Sequence, residues 1–404
     1  MNRRTAGRAL ASVLGLVLVA ASCATNVDDA EPAPDEAPSS TTAGPALPTF
    51  PLTGLPTQDE ARRTRPAIVV KIDNNEGARP PVGINAADVV YEEEIEAGFT
   101  RFAAIFQSQD ADPVGPIRSA RLSDIELLAN LNRPMLAWSG ANSITASAIR
   151  SADLVDVGFD AVPDDYHRAD NRPAPSNLFS NTSILYGFAG DARFAPSLFQ
   201  YRSDPAPTGD TGADPATVTT AAPATTGVTG GAPSTLDPAT APPAASASTV
   251  PVAGGRVEYR SRDIAYVWDA TKNGFNRFQD GTPYADDQGV IAAPENVVFL
   301  YIDYVCCPSV PGTPEAQTVG EGDAAVFTNG AFIDARWTRP TAADVWNLTD
   351  KATGQPILLT PGRTWVELAN PDTGSFVDPA EAVQLLDLAA QPIDGELGPP
   401  EFSD

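Results

Sequence analysis

Residues 204–255 constrain what this chain can fold into more than any other stretch. They hold no aromatic residue, no charge other than aspartate, and a repeating mixture of Thr, Ala, Pro and Gly. Such a segment buries too little apolar surface to offset the entropy of ordering its backbone. A structureless loop of that length is also foreign to the interior of a compact domain. It therefore reads as a disordered linker or insertion between two ordered parts, with an r.m.s. reach of roughly 40 Å. Residues 23–49 have the same character, with acids at Asp28, Asp29, Glu31, Asp35 and Glu36. They read as a disordered tether on the order of 80 Å long when extended. What remains is an ordered part at 50–203, another at 256–372, and an acidic tail at 373–404.

Hydrophobic periodicity sorts the two ordered parts into different classes. In the first, Ile68 to Ile72 is a β-branched run interrupted by Lys71 and ended by the turn-forming Asp73-Asn74-Asn75. The stretch DVVYEEEIEAGFTRFAAIFQ reads as a β-hairpin. With Ala97-Gly98 as a two-residue turn, Glu94 stands opposite Arg101 and Ile95 opposite Thr100. The acids between Glu92 and Glu96 then divide between the two faces. Leu122, Ile125, Leu128 and Leu131 predict a helix over about Ala120 to Asn132. Pro134 to Trp138 reads as a strand, leading through SGANS into a helix with Ile144, Ala148 and Ile149.

The second part reads as mostly strand. Ile264 to Trp268 faces Phe275 to Phe278, and Val297 to Val305 is one long apolar strand. Ala324 to Thr328 and Ala331 to Trp337 flank Asn329-Gly330, a strong hairpin signal. Ile357 to Thr360 and Thr364 to Leu368 flank Pro361-Gly362 and predict another hairpin. The expected fold class is α+β: a mixed α/β N-terminal domain followed by a mainly antiparallel β C-terminal domain.

The first 22 residues have the layout of a secretory signal peptide. Arg3, Arg4 and Arg8 precede an apolar run from Ala9 to Ala21, shorter than the roughly 20 residues a spanning helix needs. The run ends in Ala20-Ala21-Ser22-Cys23, which resembles the lipobox of bacterial lipoproteins. That resemblance implies cleavage after Ser22 and acylation of Cys23, and two or more acyl chains hold a protein stably on a membrane. The expected location is the extracytoplasmic face of the cell membrane, with the membrane itself a partner through the lipid anchor. A formal charge of −26 argues against nucleic acid, which demands clustered Lys and Arg.

Cysteine and histidine usage narrows the chemistry further. The chain has three cysteines and one histidine, His167, too few ligands for a structural zinc site, so no metal site is expected. Cys306 and Cys307 are adjacent; they read either as a strained vicinal disulfide or as a reduced pair. No phosphate-cradling G-x-x-x-x-G-K, H-E-x-x-H or G-x-S-x-G motif is present, and no cofactor is expected.

Several blocks carry a family resemblance. PLTGLP (51–56), RPAIVVKIDNN (65–75), ADVVYEEEIEAGFTRFAAIFQSQD (87–110), VGPIRSAR (114–121) and APSNLF (174–179) resemble the N-terminal half of the YerB-like family of bacterial lipoproteins. DGTPYADDQG (280–289), ENVVFLYID (295–303) and LTPGRTWVEL (359–368) resemble its C-terminal half. The resemblance implies a membrane-anchored architecture and a domain of unknown function, with no reaction attached. A His often stands in that family where Ser176 and Tyr284 stand here, so an acid–base or ligand role for those histidines does not carry over.

The best lead to chemistry is GPIRSAR (115–121), which puts Arg118 and Arg121 beside the start of the expected helix. Helix N-termini favour anions, and guanidinium forks bind carboxylate or phosphate bidentately. Loops at strand ends converge on ligand crevices in open α/β sheets. Asp73, Arg118, Arg121, Asn142, Arg168 and Asn177 are therefore the ligand-site candidates. The plainer alternative pairs Arg118 and Arg121 with Glu92, Glu94 or Asp124 and pins the hairpin to the helix. The functional expectation is a binding module for an anionic envelope ligand or a cell-wall-associated protein. The alternatives are a hydrolase of wall polymers with acids, Asp73 or a hairpin Glu, and Arg as its working groups, and a purely structural envelope protein.

Overall fold

The computed structural model describes residues 47–203, 248–306, 312–393 and 398–402. Five strands from the first sequence half form one side of its large sheet: β1 (Ile68–Asp73), β2 (Val89–Glu94), β3 (Thr100–Phe106), β4 (Met135–Ala137) and β5 (Val155–Asp156). They order as β2-β3-β1-β4-β5. The Thr364–Ala369 strand of the second half lies parallel against β2. The strands Asn296–Tyr301, Gly320–Thr328, Ala331–Arg339 and Asn347–Asp350 continue outward from it. The two halves expected as consecutive domains therefore share one mixed sheet, and the described residues form one compact unit.

Period-two alternation gives this sheet two apolar faces. Val69, Tyr91, Ile105, Leu136, Val298 and Val366 point to one side, where Leu127, Leu128, Ile149, Trp337 and Trp346 cover them. Val70, Val90, Phe102, Val297 and Trp365 point to the other and meet Val257, Tyr266 and Phe275. Those last three belong to a smaller antiparallel sheet ordered Thr282–Pro283, Gly274–Gln279, Arg262–Asp269, Gly254–Tyr259, Gly374–Phe376. The helix Pro379–Ala389, opened by an Asp378 cap, packs on the outside of that sheet. The arrangement is thus mostly sheet with few helices, and the helical content expected of the first half shrinks to short pieces.

Four local expectations change. The β2–β3 loop is three residues long, Glu96-Ala97-Gly98, with both Ala97 (φ 60) and Gly98 (φ 77) left-handed. Glu93, not Glu94, consequently faces Arg101, and Glu94 faces Thr100; one residue of slip exchanges the faces of every side chain. The helix expected over Ala120 to Asn132 runs only over Ser123–Leu128, here α2 (α1 being Glu60–Arg63). A 3₁₀ turn follows, and left-handed Asn132 and Arg133 stop it. Ile357 to Thr360 forms no hairpin with its neighbour: Ile357 bonds to Leu348, and Leu359 to Gln200 and Arg202. Val297 to Val305 is broken after Tyr301.

The Asn329-Gly330 hairpin forms as expected, Thr328 opposite Ala331 and both turn residues left-handed. The last residues of the 204–255 segment are ordered, because Val250–Pro251 and the strand from Gly254 pair with the sheets. A Cβ at Gly254 would overlap the Tyr266 carbonyl, and one at Gly255 the Phe327 ring. These glycines permit close approach rather than a loose linker. The signal, Cys23, the tether to Ala46 and most of the linker lie outside the described residues.

Candidate functional site

The candidate residues gather where β1 exchanges neighbours. β4 runs parallel to β1 only along Ile68–Val70. Beyond that point the Pro116–Arg118 segment takes the same edge: Asp73 N donates to the Pro116 carbonyl (3.0 Å) and Arg118 N to the Lys71 carbonyl (2.8 Å). The loop after β4 closes on it, with Ser139 N donating to the Arg118 carbonyl at 3.0 Å. Three chain segments thereby meet at the end of β1.

Asp73 lies at the bottom of this junction, fully buried. Its carboxylate accepts from Arg118 Nε (3.1 Å), Ser176 Oγ (3.1 Å), Arg101 Nη2 (3.3 Å) and Asn75 Nδ2 (3.0 Å). Burial, with Arg121 close by, pushes the Arg101 guanidinium down to about 10 against the pull of Asp73. Arg118 is different: its side chain is 24% exposed. Among the described residues no acceptor takes its terminal nitrogens, since Nε alone is used. A fork held by its Nε with both tips free is pre-set for a planar or tetrahedral oxyanion.

Arg121 has the opposite fate. Nε and Nη2 both donate to Glu96 (3.2 and 2.5 Å), and Nη1 donates to the Ala120 carbonyl at 2.9 Å. Against the cost of burial, that contact holds the Glu96 carboxyl below its ordinary value. Arg121 therefore clamps the hairpin turn to α2, through Glu96 rather than Glu92, Glu94 or Asp124. Asp124 accepts instead from the Arg121 backbone N at 2.7 Å.

The remaining candidates sit at the rim. Asn142 caps α3 (Ser143–Ser151): its Oδ1 accepts from Thr145 N and its Nδ2 donates to Thr145 Oγ1. Local capping occupies that side chain. Arg168 Nη1 donates to Asn177 Oδ1 at 2.8 Å, and the chain joins the site because Ile117 N donates to the Leu178 carbonyl at 2.7 Å. His167 is exposed, with its ring 6.1 Å from Phe402. Cys306 is exposed at a strand end; Cys307, and with it the question of a pairing, falls outside the described residues.

Beneath the site the acids of β2 are sealed. Lys71 Nζ donates to Glu93 (2.5 Å) and Asp124 (2.6 Å), all three inaccessible to solvent. Burial pushes Glu93 up, opposed by Lys71. On the opposite face Glu92 accepts from Arg277 Nη2 (2.6 Å) and Asn74 Nδ2 (2.9 Å). Its cross-strand neighbour Glu367 accepts from the Tyr259 and Tyr266 hydroxyls. Burial, reinforced by Glu92, pushes Glu367 up to about 8. No wall polymer can reach Glu92 or Glu93, so those two cannot act as the acid pair of a hydrolase in this arrangement. An open cleft of about 550 Å³ lies on the second half, lined in part by Tyr301, Asp303, Asp323, Trp337 and Lys351. It shares no residue with the Arg118 neighbourhood.

Sequence reasoning missed Lys71, Arg101, Ser176, Arg277 and Glu367 as members of these networks. Lys71 had left a trace, a charge inside an apolar strand; the others show nothing until the strands are paired.

Fold and site define a sheet-centred protein whose two sequence halves share one sheet and one ionic core. The chain belongs to the DUF3048 family. Residues 52–195 match the model described as the N-terminal domain of a protein of unknown function (DUF3048), and residues 255–366 match its C-terminal domain. A protein from Bacillus subtilis (strain 168) named "Putative lipoprotein YerB" is 25% identical over 347 residues, spanning 82% of this chain and 89% of its own. The crystal structure of YerB from Bacillus subtilis superposes with a TM-score of 0.63 at 20% identity, over 82% of this chain and 99% of that one. At that identity the likeness speaks for the fold.

Proposed function

We propose that this protein is a lipid-anchored protein of the extracytoplasmic membrane face that binds an anionic envelope ligand at Arg118. The anchor rests on the Ala20-Ala21-Ser22-Cys23 sequence and on the lipoprotein name of the relative. Among the described residues no helix is long and apolar enough to cross a membrane. The binding reading rests on one observation: Arg118 is locked by Nε onto buried Asp73 while its terminal nitrogens meet no acceptor among the described residues. Ser119 follows Arg118 in the chain, and Ser139 is held beside it by the bond from its N to the Arg118 carbonyl. Carboxylate-bearing sugars and muropeptides, and phosphate-bearing polymers, are the ligand class that chemistry would take.

Thermal unfolding of the full chain in mild detergent tests this, scanned with uronic acids and muropeptides. Wild type should show a saturable rise in melting temperature that Arg118→Ala loses. Arg121→Ala should instead lower the starting melting temperature and keep the response. A wild-type protein indifferent to both ligands, or a response to them undiminished by Arg118→Ala, would sink the reading.

A further inference from the structure

The junction between the small sheet and the β1–β2 end of the large one holds a concentration of unused hydrogen-bond donors. Arg277 is wholly buried, and its Nη2 serves Glu92 and Gln279 Oε1. Its Nε and Nη1, together with Gln279 Nε2, Tyr284 Oη and Arg79 Nε, are buried without a partner among the described residues. Arg277, Tyr284, Gln279 and Asn74 are neighbours, and Asp287 N donates to the Pro81 carbonyl at 3.1 Å, which lays the segment 79–81 beside the segment 284–287. The Arg277 guanidinium lies 4.1 Å from the Tyr284 ring centroid, and Gln279 Oε1 is 3.0 Å from Arg277 and 2.9 Å from Asn74 Nδ2.

The amide orientations follow from the network rather than from choice. Asn74 Nδ2 faces three acceptors, on Glu92, Thr100 and Gln279. Gln279 Oε1 receives two donors, so its Nε2 is the end left free. Stacking on Tyr284, Trp365 and Phe102 satisfies the faces of Arg277 but not its N–H edges, which lie in the guanidinium plane. Each buried unpaired donor carries a desolvation cost, and four residues share it here.

Charge points the same way. Glu92 offsets Arg277, and Asp280 lies 3.6 Å from Arg262. Half-buried Arg79 has no carboxylate within ion-pair distance among the described residues. Burial, with Arg262 and Arg277 adding repulsion, lowers its hold on the proton, while Tyr284 opposes them. Among the described residues the unfilled nitrogens here are all donors, set against Asn74 Oδ1, Asp263 Oδ1 and the Tyr284 hydroxyl, which can donate as well as accept. Water brings donors and acceptors in equal number; an oxyanion brings acceptors alone and one compensating charge.

We propose that Arg79, Arg277, Gln279 and Tyr284 form a buried site for a small oxyanion, a carboxylate or phosphate group, at the junction of the two sequence halves. Arg79, the one member that is partly exposed, is the entrance; Arg277 and Tyr284 are the floor. Because the first half supplies Arg79 and the second supplies the rest, the anion stabilises the docking of one half on the other. The site is independent of the Arg118 reading.

Titration of the full chain in mild detergent with sodium phosphate, sulfate and acetate, against chloride at equal ionic strength, tests it. At least one oxyanion should raise the melting temperature saturably. A response to phosphate and sulfate alone marks a tetrahedral group; one to acetate alone marks a carboxylate. Arg79→Ala should weaken the affinity by about tenfold or more, the scale of a lost charge-assisted bond. Tyr284→Phe keeps the ring and should weaken it by roughly threefold to tenfold. Arg118→Ala should retain the response, which separates this site from the one at β1. The proposal falls if no oxyanion acts saturably, if Arg79→Ala and Tyr284→Phe leave the response intact, or if Arg118→Ala alone abolishes it.

Discussion

Two arginines three positions apart end in different employment, and one nitrogen contact makes the difference. Arg121 spends its fork on Glu96, whereas Arg118 spends only Nε on Asp73. The two readings of GPIRSAR therefore divide between its two arginines: Arg121 is the internal clamp, and Arg118 keeps the capacity to take a ligand. Lys71 shows how severe buried charge is at this scale. Its ammonium lies between Glu93 and Asp124 with no access to water. Lys71→Met leaves two carboxylates facing each other, and urea unfolding should show a loss of about 3–5 kcal/mol. Replacing all three residues by Lys71→Met, Glu93→Gln and Asp124→Asn should recover most of that loss, because no charge is then stranded. A triple variant as unstable as the single one would mean that the ion cluster contributes through shape rather than charge.

Elements were legible where the signal is local. The β-branched run became β1, the Asn329-Gly330 turn made its hairpin, and helix spacing located α2 and α3. Pairing was legible only where a turn dictates it. Thr364–Ala369 was correctly a strand, yet its partners are β2 and Asn296–Tyr301 rather than the preceding Ile357 to Thr360. Apolar alternation reports that a strand is buried and is silent on which strand lies beside it. Glycine was misread for a related reason. Gly254 and Gly255 resemble linker residues by composition, while the structure needs them bare against Tyr266 and Phe327. Gly255→Ala should cost about 1–3 kcal/mol in chemical denaturation, the usual scale of overpacking. Gly77→Ala, where nothing approaches, should stay within about 0.5 kcal/mol. Equal effects at the two positions would remove the close-approach explanation.

At the scale of the whole molecule, a carboxyl that resists ionisation sits at the seam between the halves. Glu367 sits against Glu92 across the parallel seam, and burial pushes it up to about 8; buried Asp88 is pushed up to about 6. Both folded-state values lie above the ordinary carboxyl range, so the folded protein holds protons that the unfolded chain has released. Their stabilising contribution is complete below about pH 4 and is lost as pH rises, through about 6 for Asp88 and about 8 for Glu367. Melting temperature should accordingly decline from mildly acidic to mildly alkaline pH. Glu367→Gln should flatten the upper part of that decline, and an unchanged slope in that variant would mean that Glu367 is ionised throughout. By itself the sequence determined the strongly acidic balance, the lipobox-like Ala20-Ala21-Ser22-Cys23 stretch, the two low-complexity segments, the family and most strand positions, because composition, short motifs and periodicity are properties of neighbouring residues. Only the tertiary structure decided that the two halves share a sheet, that the β2 acids are sealed, and that Arg277 stacks on Tyr284. Those facts depend on which distant strands lie side by side, and that choice is made by the joint burial of surfaces far apart along the chain.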